Sequence, residues 1–464
     1  MAHGIKLVAP AVVPPLDQGF RPAVLADRAF LDEVGKSGQS VPLGIALERN
    51  DAALSVYQTK VFAPDAPGVE ANLQYVERLV KFLLWQRGGW NITIAGDART
   101  AEHIKQAYAA DGIRAFDADL MAGVYEQPFT VENVPYEELP EASEGTVALG
   151  GHLEGCRIGF DLGASDRKTS AVLDGEAVFS EEVVWDPKSQ ADPQYHYEGV
   201  VDCIKRAAEH LPHVDAIGGS AAGIYINNRA LVASLFRSIP KDQFDAKIKQ
   251  MFVRIGKEFG VPLVVVNDGE VTALAGAMSL EDGGVLGIAM GSSEAGGYVT
   301  LDRNITGWLN ELAFCPVDYN PDGPVDEWSG DYGVGSQYFS QQCVARLVPV
   351  AGIELDPEMG QPEQLEAVQE LMAEGDERAR RIMETIGCYL GYAIAHYADF
   401  YDLKHVLVLG RVTSGEGGRV IIEGAKGILT QEFPELAEQV SVQIPDETSR
   451  RVGQAIAAAS LPEL

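Results

Sequence analysis

The chain is short of cysteine, of positive charge and of long apolar runs, and each shortage excludes a class of protein. Its five cysteines, Cys156, Cys203, Cys315, Cys343 and Cys388, contain no CxxC pair, so a disulfide framework is not expected and a reducing compartment fits. Lys and Arg total 36 against 68 Asp and Glu, a formal charge of −32. That field repels phosphate backbones and anionic lipid, so neither nucleic acid nor membrane is an expected partner, and an anionic ligand needs a local positive site. No segment reaches about 18 uninterrupted apolar residues, and the opening MAHGIKLVAPAVVPP lacks a basic stretch followed by an apolar core. A cytoplasmic protein that does not span a membrane is the expectation. What is present suits a globular enzyme or binding protein: 464 residues, 46% of them hydrophobic, enough for two or three domains with cores of their own.

The β-rich runs of PLGIALERNDAALSVYQTKVF flank Asn50-Asp51 and read as a hairpin. ANLQYVERLVKFLLWQRGG follows with helical spacing, then NITIAG as a strand ending in Gly. The same order returns after Gly151: RIGFDLGAS, TSAVLDG and EAVFSEEVVW as strands, YHYEGVVDCIKRAAEHL as a helix, VDAIGGSAAG as a strand. A shift of 122 pairs Val56 with Val178, Tyr57 with Phe179, Val61 with Val183, Tyr75 with Tyr197 and Gly96 with Gly218 without a gap. Aligning GIALE with GFDLG requires seven more residues in the second copy, within Ala164 to Val172, and sets Ala46 against Asp161 and Glu48 against Gly163. The first copy therefore reads as a degenerate, noncatalytic α/β domain, with the acidic run Glu137 to Gly145 as a linker.

Four glycine-associated turns follow Gly151. In Gly159 to Ser165 a strand turns back on itself, where glycine lets backbone N–H groups approach phosphate and Asp161 offers a carboxylate for a hydrated Mg²⁺. VVVNDGEVTALAGA, Val264 to Ala277, ends a buried strand on Asn267-Asp268 before a small-residue helix. Ligands of open α/β sheets lie beyond the carboxyl ends of strands, which makes Asp268 a candidate; an N-cap is the alternative. GVLGIAMGSSEAGGYV turns at Gly291-Ser292-Ser293, with backbone and hydroxyl donors for phosphate, and HVLVLGRVTSGEGG ends a strand at Gly410.

The ordered set DLGAS, NDGEVTALAGA, GIAMGSSEAGGYV, NELAFCPVDYNPDGP and VLGRVTSGEGG resembles the ROK family of sugar kinases and repressors, from about Arg157 to Leu464. The resemblance implies an α/β fold of two ribonuclease-H-like, actin-type lobes with ATP in a cleft. The expected division is residues 1–150 as the added domain, 151–275 as the first lobe and 276–464 as the second, its sheet completed by the C-terminal helices. By the same resemblance Asp268 is the general base, Asn267, Asn310 and Glu311 hold the sugar, and Ser220, Gly223 and Asn228 lie in a sugar-facing loop. Asp161, Gly163, Ser165, Gly291, Ser292, Ser293, Gly410 and Arg411 serve ATP and Mg²⁺, the metal reaching Asp161 through water. Family members are often dimers, which makes a homodimer part of the expectation.

Departures from the pattern are local. The family's Glu-x-Gly-His reads Glu311-Leu312-Ala313-Phe314 here, and its cysteine knuckle is missing from Gly323 to Ser340, so no zinc is expected there. Glu294 puts an acid in the second phosphate turn, Arg411 stands where the family usually has glycine, and Asp166-Arg167-Lys168 adds basic groups near the first turn. Two functions fit: an ATP-dependent sugar kinase, or an inactive sugar- or nucleotide-binding protein of the same fold. A repressor is disfavoured because the N-terminal segment shows no helix-turn-helix with a basic face.

Overall fold

The β-rich runs on either side of Asn50-Asp51 fold as the expected hairpin. In the computed structural model, which describes residues 4–144, 146–147, 150–163, 166–445 and 447–464, β1 (Ser40–Glu48) pairs antiparallel with β2 (Leu54–Phe62), from Ser40 opposite Phe62 to Glu48 opposite Leu54. Asp51 takes the turn at φ 60°, a left-handed conformation that Asp tolerates better than most residues. Helix α1 (Ala71–Arg87) leads to β3 (Asn91–Ala95), antiparallel to β1, and β4 (Thr130–Val134) joins β3 in parallel, giving the order β2-β1-β3-β4.

The chain forms two compact units. The first holds Met1–Gly145, Ala289–Gly296 and Gly307–Ile444; the second holds Thr146–Ile288, Gly297–Thr306 and Pro445–Leu464. This corrects the expected division at residues 150 and 275, because the N-terminal segment does not stand apart. Helix α1 buries Glu77, Arg78 and Lys81 as well as its apolar residues, and buried charges need partners. Arg78 Nη1 lies 2.7 Å from Asp331 Oδ2, Arg114 Nη1 2.8 Å from the same oxygen, and Lys81 Nζ 2.9 Å from Asp117 Oδ2. Burial alone would raise Asp331, but the charges of Arg78, Lys81 and Arg114 hold it far below the usual carboxylate range. Backbone bonds reinforce the tie, Asn310 N–H donating to the Gln86 carbonyl at 2.8 Å and Glu311 N–H to that of Trp85 at 3.1 Å. The expected acidic linker is also part of this unit as far as Glu144, which accepts from Arg49 at 2.7 Å and from the Trp308 indole at 2.9 Å.

The second unit is built on β5 (Cys156–Leu162), β6 (Asp166–Leu173), β7 (Glu176–Val184), α2 (Pro193–Ala208), β8 (Ala216–Ala221), β9 (Leu263–Asn267) and α3 (Asp268–Leu280). Its sheet runs β9-β8-β5-β6-β7. The first three are parallel, as crossover connections through helices require, and the last two are hairpin partners. Ile158, Phe160, Ile217, Val265, Met251 and Phe252 contribute to its core. The C-terminal helix Glu447–Ala459 crosses Gly159 and Gly218, where an added Cβ would lie 2.1 Å from the Ala455 carbonyl oxygen and 1.6 Å from that of Ala458. Pro445–Leu464 therefore belongs to this unit and does not complete the sheet of a second lobe, as the sequence suggested.

The internal repeat survives in part. A shift of 122 carries β2 onto β7 from end to end and Ala71, the start of α1, onto Pro193, the start of α2. The hairpin register then decides the rest. Ser40 faces Phe62 and Asp166 faces Val184, so β1 corresponds to β6 and not to β5. β3 lies antiparallel beside β1, in the position that β5 takes beside β6. The GIALE-to-GFDLG alignment is not the structural one: the first copy lacks the whole strand that carries Asp161.

The buried ion cluster makes a direct prediction. Arg78→Ala leaves Asp331 and Glu77 buried with less compensation, and the loss expected is about 3–5 kcal/mol, read from the urea midpoint; a change under about 1 kcal/mol, the value of an exposed pair, would contradict this reading.

Candidate functional site

Strand register assembles the chemistry of the second unit. In the parallel trio Asp161 of β5 is level with Ser220 of β8, and Ser220 is level with Val266 of β9; one step on, Leu162, Ala221 and Asn267 are level. Side chains alternate along a strand, so Asp161 and Ser220 share a face at the carboxyl ends of the strands, where Asp268 begins α3. On the other side of β5 the antiparallel partner of Asp161 is Lys168. Its ammonium lies 3.7 Å from Asp161 Oδ2 and 3.3 Å from Asp166 Oδ1. Of the basic groups near this turn, Arg167 faces away, with Nη2 on Asp202 Oδ2 at 2.8 Å.

Two carboxylates thus share one ammonium. Burial raises Asp161, Asp166 adds to the shift, and Lys168 with a hydrogen bond from Ser220 opposes it. Asp268 is pushed up to about 6, first by burial and then by the charge of Asp161, while its hydrogen bond from the Gly269 N–H works in the opposite direction. Burial would favour the neutral amine of Lys168, but Asp161 and Asp166 raise it, so the ammonium persists. A carboxylate with its pKa near 6 is ionised at neutral pH and still basic enough to accept a proton.

The neighbouring residues mostly support backbone. Asn267 is the N-cap of α3: its Oδ1 accepts from Gly269 N–H at 2.7 Å and its Nδ2 donates to the Gly223 carbonyl at 2.8 Å. The cap and the acid are thus adjacent residues with separate roles. Gly223 has φ 130°, and a Cβ there would come within 2.5 Å of Ala233. Asn228 is taken up by β9, donating to the Leu263 carbonyl at 2.7 Å and accepting from Val265 N–H at 2.8 Å. Gly163 N–H closes the β5–β6 turn on the Asp166 carbonyl at 2.9 Å. Ser165 lies outside the described residues.

The first unit carries the other expected residues. Gly291, Ser292 and Ser293 form the turn between the strands Val285–Met290 and Glu294–Val299, with both serines exposed. Gly410 has φ 104°, and a Cβ there would lie 2.4 Å from the Met290 carbonyl oxygen, so the glycine is what lets the segment meet that strand end. Arg411 is exposed, its carbonyl held by Gln369 Nε2 at 2.8 Å.

Glu294, which from sequence looked able to repel phosphate, is 3% exposed and turned into the unit. Tyr397 Oη donates to its Oε1 at 3.4 Å, and Gly335 makes room for Oε2, since a Cβ there would come within 2.0 Å. Burial, with a contribution from Glu311, pushes Glu294 up to about 8, so it is mainly a neutral acid at pH 7. Glu311 is half-buried beside it. Asn310 sits at φ 51° and accepts from Tyr401 Oη at 3.0 Å. Phe314 stacks on Trp85 with centroids 4.2 Å apart. In Gly323 to Ser340, where the cysteine knuckle is missing, Asp326 accepts from Ser329 N–H at 2.8 Å, Ser329 Oγ at 2.9 Å and Ser336 Oγ at 3.1 Å, and so organises that loop from within.

Solved structures share this architecture. A ROK hexokinase from Thermus thermophilus is similar at 18% identity, over 65% of this chain and 97% of that one, with a TM-score of 0.51. A ROK family transcriptional regulator, a homologue of the E. coli MLC protein, is similar at 18% identity, over 67% and 79%, with a TM-score of 0.54. The fold is ROK-like. No protein-family model and no curated protein matches the chain. About a third of this ROK-like chain lies outside either structural match. A kinase and a regulator share the fold, so the choice between functions rests on side chains.

Sequence reasoning missed two tyrosines. Tyr225 is coupled to Asp268, whose charge adds to burial in raising the phenol, and Tyr397 is the partner of Glu294. Neither stands in a turn motif, and no local signal marks them. Lys168 was visible only as an added basic residue, yet counting outward from the Gly163–Asp166 turn pairs it with Asp161.

The Asp268 shift has a consequence for stability. An unfolded Asp titrates near 3.9, so between about pH 4 and 6 the folded chain binds more protons than the unfolded one, and stability falls as pH rises through that window. Asp268→Asn removes the effect. Its stability relative to wild type is expected to rise by on the order of 2 kcal/mol from pH 4 to pH 7, measured by urea unfolding; an equal difference at both pH values would contradict the shift.

Proposed function

We propose that the chain is a ROK-type sugar kinase that transfers the γ-phosphoryl group of ATP to a sugar hydroxyl. One observation carries the proposal: a half-buried carboxylate, Asp268, raised to about 6 beside the Asp161–Lys168 pair at the carboxyl ends of parallel strands. Asp268 takes the hydroxyl proton as the sugar oxygen bonds to the γ-phosphorus and the bond to ADP breaks. Asp161 is the residue to hold a Mg²⁺ ion through water, and two carboxylates balanced by one ammonium suit the added positive charge. When bound, that ion neutralises phosphate charge. Lys168 and a hydrogen bond from Ser220 work against the rise that burial imposes on Asp161.

Glu311 and Asn310 keep the sugar role that the resemblance gives them, and Gly291, Ser292, Ser293, Gly410 and Arg411 the nucleotide role. The inward turn and neutral state of Glu294 remove its objection to phosphate. A second reading, binding without turnover, draws on Asn267, whose amide is committed to the helix cap and to Gly223 and offers a sugar less than a free amide would.

ADP release with ATP, Mg²⁺ and a panel of hexoses and N-acetylhexosamines tests the choice. Turnover is expected for at least one sugar; binding of sugar or ATP by calorimetry with no turnover across the panel supports the second reading. Asp268→Ala should lower kcat by about 10²–10⁴-fold with unchanged circular dichroism and ATP affinity. In the wild type kcat/KM should fall as pH drops below about 6, where Asp268 protonates. A variant that turns over at the wild-type rate would remove Asp268 from the mechanism.

A further inference from the structure

At the amino ends of the same parallel strands, Cys156, His213 and Asp215 bring a sulfur, a nitrogen and an oxygen donor within 4.8 Å of one another. Cys156 opens β5 and Asp215 directly precedes β8, and the two residues clamp each other. Cys156 N–H donates to Asp215 Oδ2 and Asp215 N–H to the Cys156 carbonyl, both at 2.8 Å. Gly155, at φ 83°, makes room for the carboxylate, since a Cβ there would lie 2.7 Å from Asp215 Oδ2. His213 Nε2 is 3.2 Å from Asp215 Oδ1, and its ring is 63% exposed and free to turn. Two donors are thus held by the sheet and the third is adjustable.

We propose that these three residues bind a borderline-soft divalent cation of the Zn²⁺ or Co²⁺ type, with water as the fourth ligand. The donor set selects the metal class: thiolate and imidazole suit zinc and cobalt, whereas Mg²⁺ and Ca²⁺ take oxygen. Tetrahedral zinc with bonds of about 2.0–2.3 Å sets its ligands about 3.3–3.8 Å apart, so the three donors draw in from a spread of at most 4.8 Å. The ion enters between His213 and Asp215. The Cys156 thiol loses its proton to solvent, and two anionic ligands balance the divalent charge. The Arg157 guanidinium interacts with Asp215 and moderates the affinity for a cation. The site ties the start of β5 to the start of β8, a strand length of roughly 15–20 Å from Asp161. It is a structural tie outside the proposed reaction, and distinct from the segment Gly323 to Ser340.

Titration of the full chain with Co²⁺, followed by absorption, tests the assignment. One equivalent is expected to produce a thiolate-to-cobalt charge-transfer band that Zn²⁺ abolishes. Cys156→Ser should remove the band, and His213→Ala should weaken Co²⁺ binding by at least about tenfold. His213 is exposed, so His213→Ala keeps the fold and carries the test if Cys156→Ser does not accumulate. Absence of the band in the wild type, or a band of undiminished affinity in either variant, overturns the proposal.

Discussion

The burial of two neighbouring carboxylates, Asp161 and Asp268, with Lys168 beside Asp161, is the constraint on which the functional account depends. Three parallel strands bring their carboxyl ends into line, and register alone puts Asp161, Ser220 and the start of α3 together. The antiparallel hairpin then sets Lys168 opposite Asp161. Burial raises both acids, the charge of Asp161 raises Asp268 further, and Lys168 acts against the rise at Asp161. The raised carboxylate of Asp268 is what the proposed general-base role requires.

The surrounding fold holds this arrangement at close quarters. Gly159 and Gly218 let the C-terminal helix lie directly on β5 and β8, so the last residues of the chain brace the strands that carry Asp161 and Ser220. Asn267 caps α3 and ties the same point to Gly223, which fixes the backbone from which Asp268 projects. Residues that look like ligand contacts in a linear reading thus include some whose hydrogen bonds position the catalytic candidate.

Much of this was legible in sequence, and the failures have physical causes. A β-branched run ending on Asn-Asp before a small-residue helix marked Asp268, because strand end and helix start are both local signals. The placement of the first 145 residues was hidden. Helix α1 carries Arg78 and Lys81 where a solvent-facing side would carry them, and their partners Asp331 and Asp117 are known only through the fold. Glu294 misled for the same reason: its cavity depends on Gly335, far away in sequence. The repeat was read correctly in the second strand of its hairpin and in its helix, but the partner of the first strand, and which strand was missing, followed from pairing, which residue similarity does not encode.

A carbon-13 NMR titration of the Asp268 side-chain carboxyl, in the wild type and in Asp161→Asn, tests the coupling most directly. The account predicts a midpoint near 6 in the wild type and a lower one in Asp161→Asn, where the opposing charge is gone. An ordinary Asp midpoint in the wild type, or one that Asp161→Asn leaves unmoved, would contradict it.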